Sequence, residues 1–166
     1  MRDVSEPGLI GDAEERLIAD LYGPLRRFAG VVGSFEMDPD DLVQEAIVRV
    51  LRTKRLADLE NPSAYLRRVV VNLASSAWRS RGRERQALAR LSRTDQAVTE
   101  PVYPSDVGDL LHLKPQARAV LFLHDVEGFD FSEVAAMLST SEGAVRMLAS
   151  RSRRRLRRLL AEEATR

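Results

Sequence analysis

The chain is expected to be all-α, with two small helical domains joined by a flexible linker. Three observations predict this. Apolar residues recur at helical spacing along most of the chain, no strand-like stretch exceeds a few residues, and capping residues or prolines open most of the periodic segments. The expected boundaries are a flexible tail over 1–11, a first domain over 12–86, a linker over 87–104 and a second domain over 105–166.

Residues 1–11 hold Pro7, Gly8 and Gly11 without periodicity. Asp12 can cap a helix to about Val32, with Leu17, Leu21, Leu25, Phe28 and Val32 spaced for burial. Gly23-Pro24 in its middle implies either a kink or two short helices, because proline lacks the backbone donor and crowds the preceding turn. The next start is clearly marked: Asp38 as N-cap, Pro39 at the first helical position, Asp40 and Asp41 in the first turn. Leu42, Val43, Ala46, Ile47, Val50 and Leu51 form its buried stripe; Asp41, Gln44, Glu45, Val48, Arg49 and Arg52 face away. That outer face is either solvated surface or a protein-docking face, and the residues alone leave both open.

After a loop over 53–60, Asn61-Pro62 repeats the cap-plus-proline start of a helix reaching about Arg81. Leu66, Val69, Val70, Val71, Leu73, Ala74, Ala77 and Trp78 make it apolar around most of its circumference, so it is expected to be largely buried. The remaining stripe is Tyr65, Arg68, Asn72, Ser75, Ser76 and Arg79, followed by Arg81, Arg83 and Arg85. A ring and guanidiniums can stack on unpaired bases, an amide can read base edges and arginines can hold phosphates. The alternative is a central core helix whose aromatics only pack.

Residues 87–104 carry two prolines and weak periodicity, as a linker would. Ser105 or Asp106 can then cap a short helix to Leu113, and Pro115 starts another that ends at Gly128 as a left-handed cap. From Phe131 to Leu160 a short helix, a turn at Ser139 to Ser141 and a longer helix follow, with Ser132 and Ser141 as expected N-caps. Val145, Leu148, Ala149, Leu156 and Leu159 mark the buried side of the second helix; Arg146, Ser150, Arg151, Arg154 and Arg158 face out. This is either a helix-turn-helix that inserts its second helix into a major groove or a helical hairpin with a solvated face, and the arginine clustering favours the first.

The 44% hydrophobic and 31% charged content suits a globular protein. No run approaches the ~20 apolar residues of a membrane span and the first residues lack a signal-peptide pattern, so membrane insertion is not expected and the location is expected to be cytoplasmic. Without cysteine, and with only His112 and His124, expected at helix surfaces, there is no candidate metal set; no phosphate loop or nucleophile–base pair is present, so neither a cofactor nor an enzyme activity is expected. The net charge of +1 conceals a pattern. Residues 1–60 hold 8 basic and 13 acidic side chains, 61–100 hold 8 and 3, 101–145 hold 2 and 7, and 146–166 hold 8 and 2. Two acidic-then-basic halves imply two places where nucleic acid is met.

Taken together, DPDDLVQEAIVRV, NPSAYLRRVVVNLASSAWRSRGR and LKPQARAVLFLHDVEGFDFSEVAAMLSTSEGAVR resemble, in order, the segments of a bacterial extracytoplasmic-function (group IV) RNA polymerase sigma factor. The resemblance covers most of the chain. It implies one domain for the minus-ten promoter element and one for the minus-35 element. It places Asp41, Gln44 and Glu45 where the family docks on the clamp helices of the polymerase largest subunit. Tyr65, Arg68, Val69 and Asn72, with Arg79 on the same stripe, fall where the family opens minus-ten DNA and holds a flipped base beneath the 53–60 loop. Arg146, Ser150 and Arg151 fall on minus-35 reading positions, in a domain that sits on the polymerase flap. The implied partners are core RNA polymerase, promoter DNA and an anti-sigma factor; a free-standing helix-turn-helix regulator is the alternative. The chain departs from the family pattern at Ser139, where glycine is usual, at Leu148 and Ala149 in the recognition helix, and at Tyr65, where tryptophan is common.

Overall fold

The computed structural model describes residues 11–34, 36–91, 110 and 112–164. The regular structure among them is helical: α1 (Asp12–Val32), α2 (Pro39–Leu51), a 3-10 turn (Leu56–Asp58), α3 (Pro62–Leu91), α4 (Pro115–Leu121) running on into a π-helical turn (Phe122–Val126), α5 (Phe131–Leu138) and α6 (Glu142–Glu163). The expected tail, most of the linker and most of the short helix before Leu113 lie outside the described residues.

Local chemistry accounts for most of the boundaries. The Asp38 carboxylate accepts from the Asp40 amide at 2.8 Å, Asn61 Oδ1 from the Ala64 amide at 2.9 Å and Ser141 Oγ from the Ala144 amide at 3.2 Å, so three expected caps are present. Gly128 takes the left-handed conformation, φ 79°, that ends the helix before it. Pro24 lies inside a single helix, α1, not between two short ones.

Three expectations are corrected. Gly11, not Asp12, holds the N-cap position of α1, and no side chain caps it. Asp130, not Ser132, is the N-cap of α5: its carboxylate accepts from the Glu133 amide while the Glu133 side chain accepts from the Asp130 amide, a reciprocal pair that satisfies two end donors. α3 also continues ten residues past Arg81, to Leu91. Its extension, rich in Arg, Glu, Gln, Ala and Leu, has little apolar periodicity but apart from Gly82 consists of strong intrinsic helix formers.

The core of the N-terminal half lies between α1, α2 and α3, where Phe28, Val32, Val43, Val50, Leu66, Val70 and Leu56 are almost completely enclosed. In the C-terminal half Ala119, Val120, Leu123, Val134, Val145 and Ala149 do the same for α4, α5 and α6. The two halves pack directly against each other along α1, α3, α4 and α5. Phe28 and Phe122 meet with ring centroids 6.0 Å apart. Arg67, mostly buried, donates to Glu127 at 2.9 Å and lies between the rings of Phe28 and Phe129. Arg118, 1% exposed, donates from Nη1 to the Gly33 carbonyl at 2.6 Å. Burial pushes its guanidinium down to about 10, and its Nε has no hydrogen-bond partner among the described residues. The cation sits at the negative end of α1, which offsets part of the cost of desolvation. Gly33 permits the close backbone approach there, since a Cβ would lie 2.8 Å from the Ala29 carbonyl oxygen.

Candidate nucleic-acid and partner surfaces

α2 presents its acidic face to solvent because its apolar stripe is spent on α1 and α3. Asp41, Gln44 and Glu45 are exposed, and Val48, 43% exposed, adds an apolar spot beside them. Asp41 and Glu45 form no ion pair among the described residues. Asp40 is different: its carboxylate accepts from the Tyr22 hydroxyl at 2.8 Å and from Arg26 Nε at 2.9 Å, and these bonds hold it below the usual carboxylate range. The three predicted docking residues thus form one continuous exposed surface, on which Gln44 also bonds the Tyr22 side chain, while their neighbour Asp40 fastens α2 to α1.

Where α2 ends against α3, a cavity of about 340 Å³ opens to solvent, walled by Arg49, Val50, Thr53, Tyr65, Val69, Asn72, Leu73 and Ser76. Its size is at the lower end for small-ligand sites. Tyr65, Val69 and Asn72 come together because positions i, i+4 and i+7 share a helix face. The Tyr65 ring has the Lys54 ammonium 5.0 Å and the Arg68 guanidinium 4.7 Å from its centroid. Arg68 stands beside the cavity, not in its wall, and its Nη1 donates to Ser139 Oγ in the C-terminal half. Arg79 is exposed and donates to Ser76 Oγ at 3.2 Å, at the far end of the wall. Arg49 and Thr53 are also wall residues, although helical periodicity alone puts Arg49 on the outer face of α2 and Thr53 in a loop. Only the packing of α2 on α3 brings them in, and no local sequence signal marks it.

The C-terminal half carries the second surface. α5 and α6 meet at a turn in which Ser139 adopts φ 53°, ψ 52°, the left-handed conformation that glycine takes most easily. On α6, Val145, Ala149 and Ser152 are buried and Leu148 and Leu156 half-buried, which leaves Arg146, Ser150, Arg151, Arg154 and Arg158 exposed. Arg146 is braced: it forms an i,i+4 ion pair with Glu142 and lies 4.9 Å over the Phe131 ring. Phe131 in turn stacks on His124 with centroids 3.9 Å apart, so His124 is half-buried and donates from Nδ1 to the Phe129 carbonyl at 2.7 Å instead of lying free at the surface. Arg151, Arg154 and Arg158 form no ion pair among the described residues, so their charge faces outward as a continuous basic stripe. Among the described residues there is no cluster of His, Cys, Asp and Glu that could hold a metal ion, and no helix is long and apolar enough to cross a membrane.

Known proteins show the same two parts. Residues 15–84 match the family model for sigma-70 region 2, and residues 110–156 match that for sigma-70 region 4. The chain is 31% identical over 149 residues to an extracytoplasmic-function RNA polymerase sigma factor, SigE, of Mycolicibacterium smegmatis, covering 84% of this chain and 58% of that protein. It is 35% identical over 130 residues to the RNA polymerase sigma-E factor of Streptomyces coelicolor, covering 73% of this chain and 71% of that protein. Among solved structures, the sigma factor RpoE of Bartonella quintana, bound to the anti-sigma factor NepR, superposes with a TM-score of 0.66 at 26% identity, over 91% of this chain and 98% of that one. With both helical regions matched in order and the Streptomyces relative covered over more than two thirds of its length, the chain belongs to the extracytoplasmic-function group of the sigma-70 family of RNA polymerase sigma factors.

Proposed function

We propose that this chain directs core RNA polymerase to a particular set of promoters and assists strand opening there, without catalytic chemistry of its own. The observation that carries this is the cavity walled by Tyr65, Val69 and Asn72 one helix away from the exposed Asp41, Gln44 and Glu45 face. Extruding a base costs a few kcal/mol of unstacking, and stacking on an aromatic side chain returns about 1–3 kcal/mol. Polymerase held on the acidic face of α2 keeps the strands apart long enough for that capture. Residues 12–86 act as the docking and minus-ten unit, and residues 105–166 as the minus-35 unit, with 87–104 as the connection. Arg68 and Arg79 hold the backbone beside the captured base; Arg146, Ser150 and Arg151 face the minus-35 major groove.

The partners in this reading are core polymerase, through the clamp helices of its largest subunit and its flap, promoter DNA, and an anti-sigma protein of the kind seen on the Bartonella relative. The site of action is the cytoplasm, where polymerase and DNA are. The test is transcription from a promoter library with core polymerase and this protein, reading the 5′ ends of the products. Start sites sharing two spaced sequence elements support the proposal. Binding to duplex DNA with no association to polymerase refutes it in favour of a free-standing regulator.

A further inference from the structure

Glu14 is a buried carboxylate that none of the surfaces above uses. It lies in the first turn of α1, is 5% exposed, and its Oε1 accepts from the Leu56 backbone amide at 2.5 Å. Arg55 Nε approaches its other oxygen at 3.9 Å from the solvent side. Burying a carboxylate is unfavourable unless charge-assisted bonds and a helix N-terminus compensate, and all of these are present. Packing alone does not require it, since an apolar side chain would fill the same place.

What Glu14 grips is the loop between α2 and α3. Thr53 and Lys54 bond back to Val50, and Asn61 already belongs to the next helix cap. Between them, Leu56 is the deepest attachment: its side chain is 0% exposed and its amide is on Glu14, with the half-buried Leu59 a shallower second hold. The same loop supplies Thr53 to the cavity wall and Lys54 to the face of Tyr65. We infer that Glu14, which does not line the cavity, is a positioning residue that sets the outer wall of the base pocket through Leu56 and so governs which base is accepted. This rests on the proposed reading of the cavity.

The experiment uses core polymerase assembled with the full chain and four single-stranded minus-ten oligonucleotides, taken from a promoter selected by transcription and differing only in the captured base. Wild type is expected to bind the best base at least tenfold more tightly than the worst. Glu14→Ala, which removes the acceptor, and Glu14→Asp, which keeps charge but falls short of the Leu56 amide, are each expected to shrink that ratio at least fivefold; Glu14→Gln, which retains the acceptor oxygen, stays within twofold of wild type. If Glu14→Ala does not fold, Glu14→Asp carries the comparison. A uniform loss of affinity for all four oligonucleotides, with the ratio unchanged, means that Glu14 serves the fold only and overturns the inference. Asn72→Ala separates the two levels. If it collapses discrimination while the Glu14 variants do not, the inference about Glu14 alone is wrong. If wild type does not discriminate, or Asn72→Ala leaves discrimination intact, the pocket reading fails and this inference with it.

Discussion

Ser139 offers the sharpest test of the turn on which the C-terminal DNA surface depends. Its φ of 53° and ψ of 52° put an L-residue in left-handed backbone, at a cost of roughly 1–2 kcal/mol. Its Oγ also accepts from Arg68 across the two halves. Glycine at this position relieves the strain but frees the unfolded chain, which takes back about 0.4–1 kcal/mol. Comparing Ser139→Gly with Ser139→Ala isolates the backbone term, because both lose the hydroxyl and only one loses the Cβ. The glycine variant should be more stable than the alanine variant by about 0.5–1 kcal/mol, a rise in Tm of about 1–4 °C for a chain of this size. Thermal unfolding followed by circular dichroism at matched concentration measures it. A glycine variant that melts below the alanine variant would refute the reasoning, since the entropy cost of glycine would then stand without any relief of strain to offset it.

Further outcomes concern the two partner surfaces. Glu45→Arg reverses charge at the centre of the exposed α2 face and should abolish co-purification with core polymerase while leaving the helical circular dichroism spectrum unchanged. Tyr65→Ala should weaken open-complex formation about 5- to 150-fold, the loss of 1–3 kcal/mol of stacking, and Asn72→Ala should impair opening more than closed-complex binding, both read by permanganate reactivity of the bubble. Arg151→Ala should lower the slope of log K against log salt by about 0.9 without changing sequence preference if the side chain meets phosphate only. Asp40→Asn probes pH dependence. Because Tyr22 and Arg26 depress this carboxylate in the folded state from 3.8, its contribution is present above that value and lost as pH falls below it, so wild type and variant should converge in stability in acid.

How far the sequence could be read depended on how local each determinant is. The caps at Asp38, Asn61 and Ser141 act within three residues and were legible. At α5 two side chains, Asp130 and Ser132, could both cap, and the reciprocal bond from Glu133 decides between them. Tyr65, Val69 and Asn72 were legible as a group because one helix face brings them together, whereas Arg49 and Thr53 join them only through the contact of two helices. The close packing of the two halves was not legible at all. It rests on Arg67 and Arg118, residues of a type that sequence reasoning assigns to water, and on Phe28 meeting a ring nearly a hundred positions away.

That packing has a consequence of scale. In the proposed reading the two promoter elements are about 25 base pairs apart, or ~85 Å along a duplex at ~3.4 Å per pair. A compact chain of 166 residues has a radius of gyration of only about 15 Å. With Arg68 bonded to Ser139, a residue beside the cavity touches the turn that leads into α6, the helix proposed to read the groove. The arrangement held together by Arg118 and Gly33, and by Arg67 and Glu127, therefore cannot span both elements at once. In that reading the apparent promoter affinity is the intrinsic one multiplied by the fraction of molecules in which these contacts are open, so every interaction that steadies the closed molecule also sets how much polymerase it takes to put the chain to work.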